Sequence, residues 1–517
     1  MVAFTDVKPN TYFDSVTLML LSSKLSAIDG VLEAGVMMGT NHNKALMIAS
    51  GILSEEKAAS VSPNDLIIGI SANSQQAIDK AIQAFNEQLE SKTKNAEIEG
   101  SLRVKTIDSA VKKLGDPNFA VVSLPGRYAK TQVMKLMKNG MHVLLFSDNV
   151  SLEEEIELKS YAVENNLLMM GPDCGTAIIN GTALGFANVV RRGNIGLVAA
   201  SGTGLQEVTC VIDHLGAGVS QALGTGGRDL KAAVGGKMML SGLNALGKDP
   251  GTTVIGLISK PPDESVTSKI LDAIQKTGKQ AVVCFLGASK EQPTVKGVTF
   301  AYTLEDAAGF LVDINQGRQP KERIFSVPDA EIDNIVKTEQ SKLNQNQKYA
   351  RGLYSGGTLC YEGLLLLQRE GFEIYSNIAT DKKYELPDVE KSLNHTLIDM
   401  GEDYFTDGVP HPMIDFRLRS ERLKKEAQDP EVGVILLDCV LGYGSHEDPA
   451  GALVETIRQA KAQNSGLYIT YIASVCGTEA DPQSLSRQAA KLREAGVVVM
   501  PTNAQAVRLA AKIIAGR

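Results

Sequence analysis

The sequence predicts an α/β protein of tandem parallel-sheet modules behind a small N-terminal α+β domain. Three observations lead there. Short apolar runs, at residues 119–124, 142–146 and 253–258 among others, alternate with amphipathic stretches, the pattern of strands covered on both faces by helices. Glycine is abundant, 48 of 517 residues, while tryptophan is absent and Phe and Tyr number 13 each. Tight strand-to-helix turns use glycine, whereas all-β cores lean on aromatics. A chain of this length also divides into about three or four domains.

Residues 1–95 read as helix 14–29, strand 31–39, helix 44–53, strand 66–71 and helix 75–89. Two helices backing a small sheet predict a ferredoxin-like α+β domain, with the polar stretch 90–100 as a linker. Residues 100–192 turn to strand, loop, helix, with strands at 119–124, 142–146 and 167–170. A further unit spans 193–325, with strands at 196–200, 219–223, 253–258 and 281–286. The charged, Asn/Gln-rich segment 319–347 reads as an exposed connector with room for one helix. The last unit, 345–517, has strands at 352–354, 396–400, 434–437, 467–472 and 497–500. It repeats the unit before it: Ser355-Gly356-Gly357-Thr358-Leu359 matches Ser201-Gly202-Thr203-Gly204-Leu205, and Glu362 and Glu207 follow in the two helices. That is a duplicated module.

Composition narrows the function. A net charge of −8 without a concentrated Lys/Arg face argues against nucleic acid. The first twelve residues lack a basic stretch followed by an apolar run, and the apolar segment 16–21 is too short for a bilayer. The expectation is a cytoplasmic protein with neither leader nor membrane span. Six cysteines are scattered without a CxxC pair, predicting reduced thiols and no metal site.

In open parallel sheets, ligands bind beyond the carboxyl ends of the strands. There the first turn of a helix offers unpaired N–H groups and partial positive charge. Ser201, Gly202, Thr203 and Gly204 meet these conditions, as do Ser355, Gly356, Gly357 and Thr358. Both loops are predicted to bind a small anionic substrate, a carboxylate or phosphate. Gly226 and Gly227 precede Arg228, a candidate clamp for such a group; the alternative is an ion pair with Asp229. Lys260, beside a strand end, is a second cationic candidate. Cys174, in Gly171-Pro172-Asp173-Cys174-Gly175, has no neighbouring histidine and reads as a buried turn residue. His411, between Pro410 and Pro412 with Asp415 to orient it, and His446, before the helix starting at Pro449, are candidates for acid–base work. No GxxxxGK[ST] loop and no GxGxxG is present, so the chain alone is not expected to bind ATP or NAD.

These words resemble the succinyl-CoA synthetase superfamily. Gly171-Pro172-Asp173-Cys174-Gly175 looks like the turn closing its CoA-binding, Rossmann-like domain. Gly196-Leu197-Val198-Ala199-Ala200-Ser201-Gly202-Thr203 and Gly224-Thr225-Gly226-Gly227 look like its first flavodoxin-like ligase domain, and residues 345–517 are similar to its second. More closely, the whole chain resembles the FdrA family, through Gly352-Leu353-Tyr354-Ser355-Gly356-Gly357-Thr358-Leu359-Cys360 and Pro410-His411-Pro412-Met413-Ile414-Asp415. The resemblance implies CoA as a cofactor, yet the glycine-rich CoA loop has no clear counterpart before Phe119. The superfamily's phosphohistidine loop is replaced by Gly287-Ala288-Ser289-Lys290, and its acidic partner loop by Ser259-Lys260-Pro261-Pro262. An ATP-grasp domain is absent. The FdrA resemblance therefore implies a subunit, working with partner subunits, that transfers a carbamoyl group between oxamate or oxalurate and phosphate in allantoin breakdown. The alternatives are an acid–CoA ligase and a non-catalytic subunit.

Overall fold

The computed structural model describes residues 2–515 except 10, 12, 14, 50, 99–103, 105, 290, 407, 408 and 465. The chain forms two compact units: residues 1–117 with 406–410, and the remainder.

The first unit contains β1 (Val2–Lys8), α1 (Ser15–Ser26), β2 (Val31–Met38), α2 (Asn41–Ala49), α3 (Glu55–Ser60), β3 (Leu66–Ala72), α4 (Gln75–Ile98) and α5 (Ile107–Leu114). Its antiparallel sheet has the order β1-β3-β2. β3 is buried along its whole length. Ile68 and Ile70 join Leu21 and Leu25 of α1 and Ile78 and Phe85 of α4, while Ile67 joins Met47, Ile52 and Ala58. The expected linker at 90–100 is corrected in part: up to Ile98 it is the end of α4. No glycine or proline interrupts residues 75–98, so its polar composition is that of a solvated helix.

The second unit opens with β4 (Phe119–Val122), α6 (Gly126–Lys138), β5 (His142–Leu145), α7 (Leu152–Glu164) and β6 (Met169–Met170). They form a parallel sheet in the order β4-β5-β6. The hairpin β7 (Thr176–Ile179) and β8 (Thr182–Gly185) follows, turning at Asn180-Gly181, both with positive φ.

The first duplicated module runs β9 (Arg192–Ala199), α8 (Gly202–His214), β10 (Val219–Gly224), α9 (Lys237–Lys248), β11 (Val254–Ser259), α10 (Glu264–Thr277), β12 (Gln280–Phe285), β13 (Val298–Ala301) and α11 (Leu304–Asn315). Its sheet order is β13-β12-β11-β9-β10-β7-β8. After α12 (Asp329–Lys342) comes the second module: β14 (Tyr349–Tyr354), α13 (Gly357–Arg369), β15 (Ile374–Ser376), β16 (His395–Asp399), α14 (Asp403–Thr406), α15 (Arg417–Glu426), β17 (Val432–Val440), α16 (Pro449–Gln463), β18 (Thr470–Cys476), α17 (Leu485–Glu494), β19 (Val498–Met500) and α18 (Asn503–Ile514). Its parallel order is β15-β16-β14-β17-β18-β19.

The duplication is real, but its register differs by one residue from the sequence match. Ala199 lies beside Gly224 and Ile258. Tyr354 lies beside Asp399, and the pair Leu353–Leu437 puts Asp438 on its other side. The helix N-caps are Ser201 and Gly356. Thr203 is therefore the twin of Thr358, Glu207 of Glu362, and Ile258 of Asp438. One apolar core runs through both modules, joining Leu205 and Val208 of α8, Leu304 and Leu311 of α11, Leu359 and Leu364 of α13, and Val507 and Ala510 of α18.

A buried ion network secures the loop after β10. Lys159 Nζ lies 2.7 Å from Glu155 and 2.8 Å from Asp229, all three fully buried, and donates to the Thr225 carbonyl at 2.9 Å. Asp229 accepts from the N–H groups of Met238 and Met239 in the first turn of α9. Lys159→Met would leave buried Asp229 without a cation and Glu155 with only the partly exposed Arg228, so a loss of about 3–5 kcal/mol is expected, measurable by urea unfolding of the full chain.

Candidate functional site

The glycine loops of the two modules meet. Ser201 Oγ accepts from Gly204 N–H at 3.1 Å and shares a 2.6 Å hydrogen bond with Thr358 Oγ1. Thr358 N–H donates to Thr203 Oγ1 at 3.3 Å. The approach needs glycine: a Cβ on Gly204 would lie 2.4 Å from Ser201 Oγ and 3.0 Å from Thr358 Cγ2, and one on Gly356 would lie 3.1 Å from Thr203 Cγ2. The positive N-terminal ends of α8 and α13 thus face each other, an arrangement that favours nearby negative charge.

In the second module the protein supplies that charge itself. Asp438, fully buried in β17, accepts from Ser355 N–H at 2.9 Å, Ser355 Oγ at 3.0 Å and Gly356 N–H at 2.7 Å. It also pairs with the buried Arg419 guanidinium at 2.6 Å. Ser355 and Gly356, expected to offer N–H groups to a substrate anion, are therefore already engaged. In the first module the twin of Asp438 is the apolar Ile258, whose carbonyl accepts the Ala200 N–H at 3.0 Å. Among the described residues, the N–H groups of Ser201, Gly202 and Thr203 have no protein acceptor. The first turn of α8 thus keeps three unpaired N–H groups, whereas in the second loop the N–H groups of Ser355, Gly356 and Thr358 are engaged.

Asp399 stands beside that turn, at the end of β16. A Cβ on Gly357 would lie 2.3 Å from its Oδ2, and its Oδ1 accepts from Gly401 N–H at 2.9 Å. Burial pushes this carboxyl up to about 7; Glu402 adds to the effect, while Gly401 N–H and Lys260 oppose it. Lys260 Nζ is 4.7 Å from the centroid of Tyr361 on α13, so the first module sends a cation towards the second module's loop. The turn that replaces the phosphohistidine loop lies against the same tyrosine: a Cβ on Gly287 would lie 2.6 Å from Tyr361 Oη. Lys290 is outside the described residues.

His411 reaches the same place. A Cβ on Gly401 would meet His411 Nε2 at 2.8 Å and Asp399 Oδ1 at 3.2 Å, so imidazole and carboxyl flank one notch. His411 Nδ1 accepts from Met413 N–H at 3.2 Å, which assigns the ring proton to Nε2. Burial lowers its pKa to about 4, against the pull of Asp438, so it acts as a neutral donor. Asp415 does not orient it, because that carboxylate pairs with Arg417 at 2.7 Å.

The other candidates lie elsewhere. Arg228 pairs with Glu155 at 2.9 Å and donates to the Val150 carbonyl at 2.7 Å; the partner once expected, Asp229, belongs to Lys159. Gly226 has φ +80°, and a Cβ there would lie 2.3 Å from the Pro172 carbonyl, so it shapes a turn. Gly227 has open space around it. His446 Nδ1 accepts from Asp448 N–H at 3.0 Å and its ring meets Phe416 edge-on, with no contact to the glycine loops among the described residues. Cys174 is buried, and burial raises its thiol to about 12. Asp399, Asp438 and Arg419 went unnoticed in the sequence. Only Asp399 left a sign there, as a carboxylate at a strand end two residues before a glycine.

The fold and this paired-loop site define an acyl-CoA synthetase-like protein. The CoA-ligase family profile matches residues 353–513, and the profile described as AllF, heavy metal-associated domain, matches residues 1–104. The chain is 43% identical over 514 residues to the uncharacterized protein YahF of Escherichia coli K12, covering 98% of each; it belongs to the same family. It is 28% identical over 170 residues to the succinate–CoA ligase subunit alpha of Aquifex aeolicus, covering 32% of this chain and 54% of that one. A Ca. Korarchaeum cryptofilum dinucleotide-forming acetyl-coenzyme A synthetase aligns with 16% identity and a TM-score of 0.32, over 77% of this chain and 82% of its own.

One group implied by these names, a heavy metal, fails against the residues present. Residues 1–117 contain no cysteine and a single histidine, His42, a donor set unsuited to a thiolate-bound heavy metal. For CoA, the segment between α4 and β4 that would carry a phosphate loop includes residues 99–103 and 105, outside the described residues. No helix among the described residues is long and apolar enough to cross a membrane.

The glycine loops give a contrast in stability. Gly357→Ala pushes a methyl onto the Asp399 carboxyl and should cost about 1–3 kcal/mol. Gly202→Ala, whose Cβ would meet only Thr176 Oγ1 at 3.6 Å, should cost less than 1 kcal/mol. Thermal unfolding of the two variants side by side checks the difference.

Proposed function

We propose that this chain is an FdrA-type subunit of a carbamoyltransferase, exchanging a carbamoyl group between oxamate and phosphate in allantoin and purine breakdown, in a hetero-oligomer with partner subunits. The reading is carried by the unpaired N–H groups of Ser201, Gly202 and Thr203 at the start of α8, which meets the turn beside which the near-neutral Asp399 stands, with no histidine on the turn after β12 to carry a phosphoryl group. The AllF description of the profile over residues 1–104 supports the allantoin context.

In the proposed reaction the phosphate of carbamoyl phosphate sits against the N–H groups of Ser201, Gly202 and Thr203, with Lys260 adding positive charge. The amide nitrogen of oxamate attacks the carbamoyl carbon, and its proton passes to the Asp399 carboxylate. The carbon–oxygen bond to phosphate breaks, and inorganic phosphate leaves with the bond's electron pair. His411 Nε2–H donates a hydrogen bond on the Asp399 side of the notch. Preorganised donors of this kind stabilise the oxyanion without a covalent protein intermediate.

The CoA-ligase profile over residues 353–513 favours a second reading, acid–CoA ligation with partner subunits. One assay separates the two: the full chain, assembled with the products of its neighbouring genes, is given carbamoyl phosphate with oxamate, or ATP and CoA with an acid. Oxalurate formation supports the transferase, and thioester formation the ligase. For the transferase, Asp399→Asn should lower kcat about 10²–10⁴-fold. In the direction of oxamate attack, where the base form is needed, the wild-type rate should rise with pH through about 7. A rate flat across that range would remove Asp399 from the proton transfer.

A further inference from the structure

Glu207 and Glu362 hold corresponding positions on α8 and α13, and each caps a helix of the other module. Glu207 Oε1 accepts from the N–H of Asn503, first residue of α18, at 3.1 Å. Glu362 Oε1 accepts from the N–H of Leu304, first residue of α11, at 2.7 Å. Asn503 Nδ2 also donates to Glu362 Oε2 at 2.8 Å, so a single asparagine bridges the two carboxyls. Both residues are buried, 3% and 1% exposed.

No cation neutralises them. Among the described residues neither glutamate pairs with Lys, Arg or His. Arg508 of α18, which acts on Glu362 from a distance, is bonded to Glu305 at 2.9 Å and to two carbonyls. The other titratable groups facing the pair raise its proton affinity or are themselves neutral. Glu305 of α11 faces both carboxyls. The Cys476 thiol of β18 hydrogen-bonds Glu207 and the Cys210 thiol of α8. On the other side, Cys284 of β12 and Tyr354 of β14 feel Glu362, and both stay protonated through burial. Two buried carboxylates served only by neutral donors cannot both remain ionised at little cost.

The pair sits six residues along each helix from its N-cap, about 9 Å behind the glycine loops. An anion at the N-terminus of α8 would add negative charge on the same axis, across dry protein where screening is weak. We propose that Glu207, Glu362 and Asn503 form a proton-holding unit that takes up a proton from solvent when an anion binds the α8 loop and releases it when the anion leaves. The inference rests on the anion site proposed above. Burial raising each carboxyl to about 7 agrees with it. Because that value exceeds the usual 4.5, the pair's stabilising contribution is complete below about pH 4.5 and is lost as pH rises through about 7. The module interface should be firmer at pH 6 than at pH 8.

The test is infrared or carbon NMR titration of the full-length protein labelled at glutamate carboxyls, with and without sulfate, an anion that does not itself titrate near neutrality. We expect at least one glutamate to keep its proton near pH 7 and its midpoint to rise by about half to one unit when sulfate binds. Glu207→Gln and Glu362→Gln should each remove that titration and flatten the fall in melting temperature between pH 6 and 8. A wild-type protein whose glutamates are all ionised by pH 6 overturns the proton unit. A neutral-range titration that bound sulfate leaves unmoved overturns the coupling. If the titration is present but sulfate does not bind, the anion site and the coupling fall together while the proton pair stands.

Discussion

The apolar core that joins the two modules presses two helix N-termini against one another, and much of the site follows from that constraint. Thr203 and Thr358 interlock where the positive ends of α8 and α13 meet. Bringing two such ends together is electrostatically unfavourable unless carboxylates compensate. Asp438 answers it on the N–H groups of Ser355 and Gly356, with Asp399 beside Gly357, while Glu207 and Glu362 lie further down both helices and cap α18 and α11 instead. Each of these four acids is buried, and only Asp438 has a directly paired cation, Arg419.

The duplication explains how two similar loops come to differ in their unpaired N–H groups. A symmetric pair would have left both N-termini open or closed both. Substitution at one position breaks the symmetry: Asp438 in β17 answers to Ile258 in β11. The carboxylate satisfies its own loop and, with Arg419, fixes the backbone of that loop. The isoleucine offers no acceptor to the N–H groups of the other loop. Asp399 adds to the asymmetry, because its twin on β10 is Gly224, which has no side chain to bring near α8.

Much of the fold was legible because it rests on local signals. Continuous apolar strands, glycine turns and the repeated glycine loops revealed the parallel modules and their duplication. The hairpin β7–β8 was missed although Asn180-Gly181 is a strong two-residue turn signal; its strands are only four residues each, too short for a clear alternation. The end of α4 was read as linker because its Lys, Glu and Asn residues signal solvent but not backbone conformation. At the site, the loops and Lys260 were legible from strand-end chemistry. Asp438 and Arg419 were not, since the contact closes between β17 and α15 and no spacing in sequence encodes it. His411 was recognised, but its partner was misjudged: Asp415, near in sequence, turns to Arg417, while the notch at Gly401 brings the ring to Asp399.

These features shift the reading away from ligation through a phosphorylated protein and towards direct transfer. A phosphohistidine mechanism needs a mobile imidazole that can leave the site carrying its phosphoryl group. Here His411 is half-buried, with Nδ1 held by Met413 N–H and its ring tilted against Phe186, and its low proton affinity suits a fixed donor. Lys260, exposed at the end of β11, lies 4.7 Å from the ring centroid of Tyr361 on the neighbouring module. A cation there favours an anionic reactant arriving from solution, and Asp399 opposite it holds a proton near neutrality. Cation, open N–H groups and near-neutral carboxyl fit a phosphate leaving group and an amide nucleophile meeting in one step.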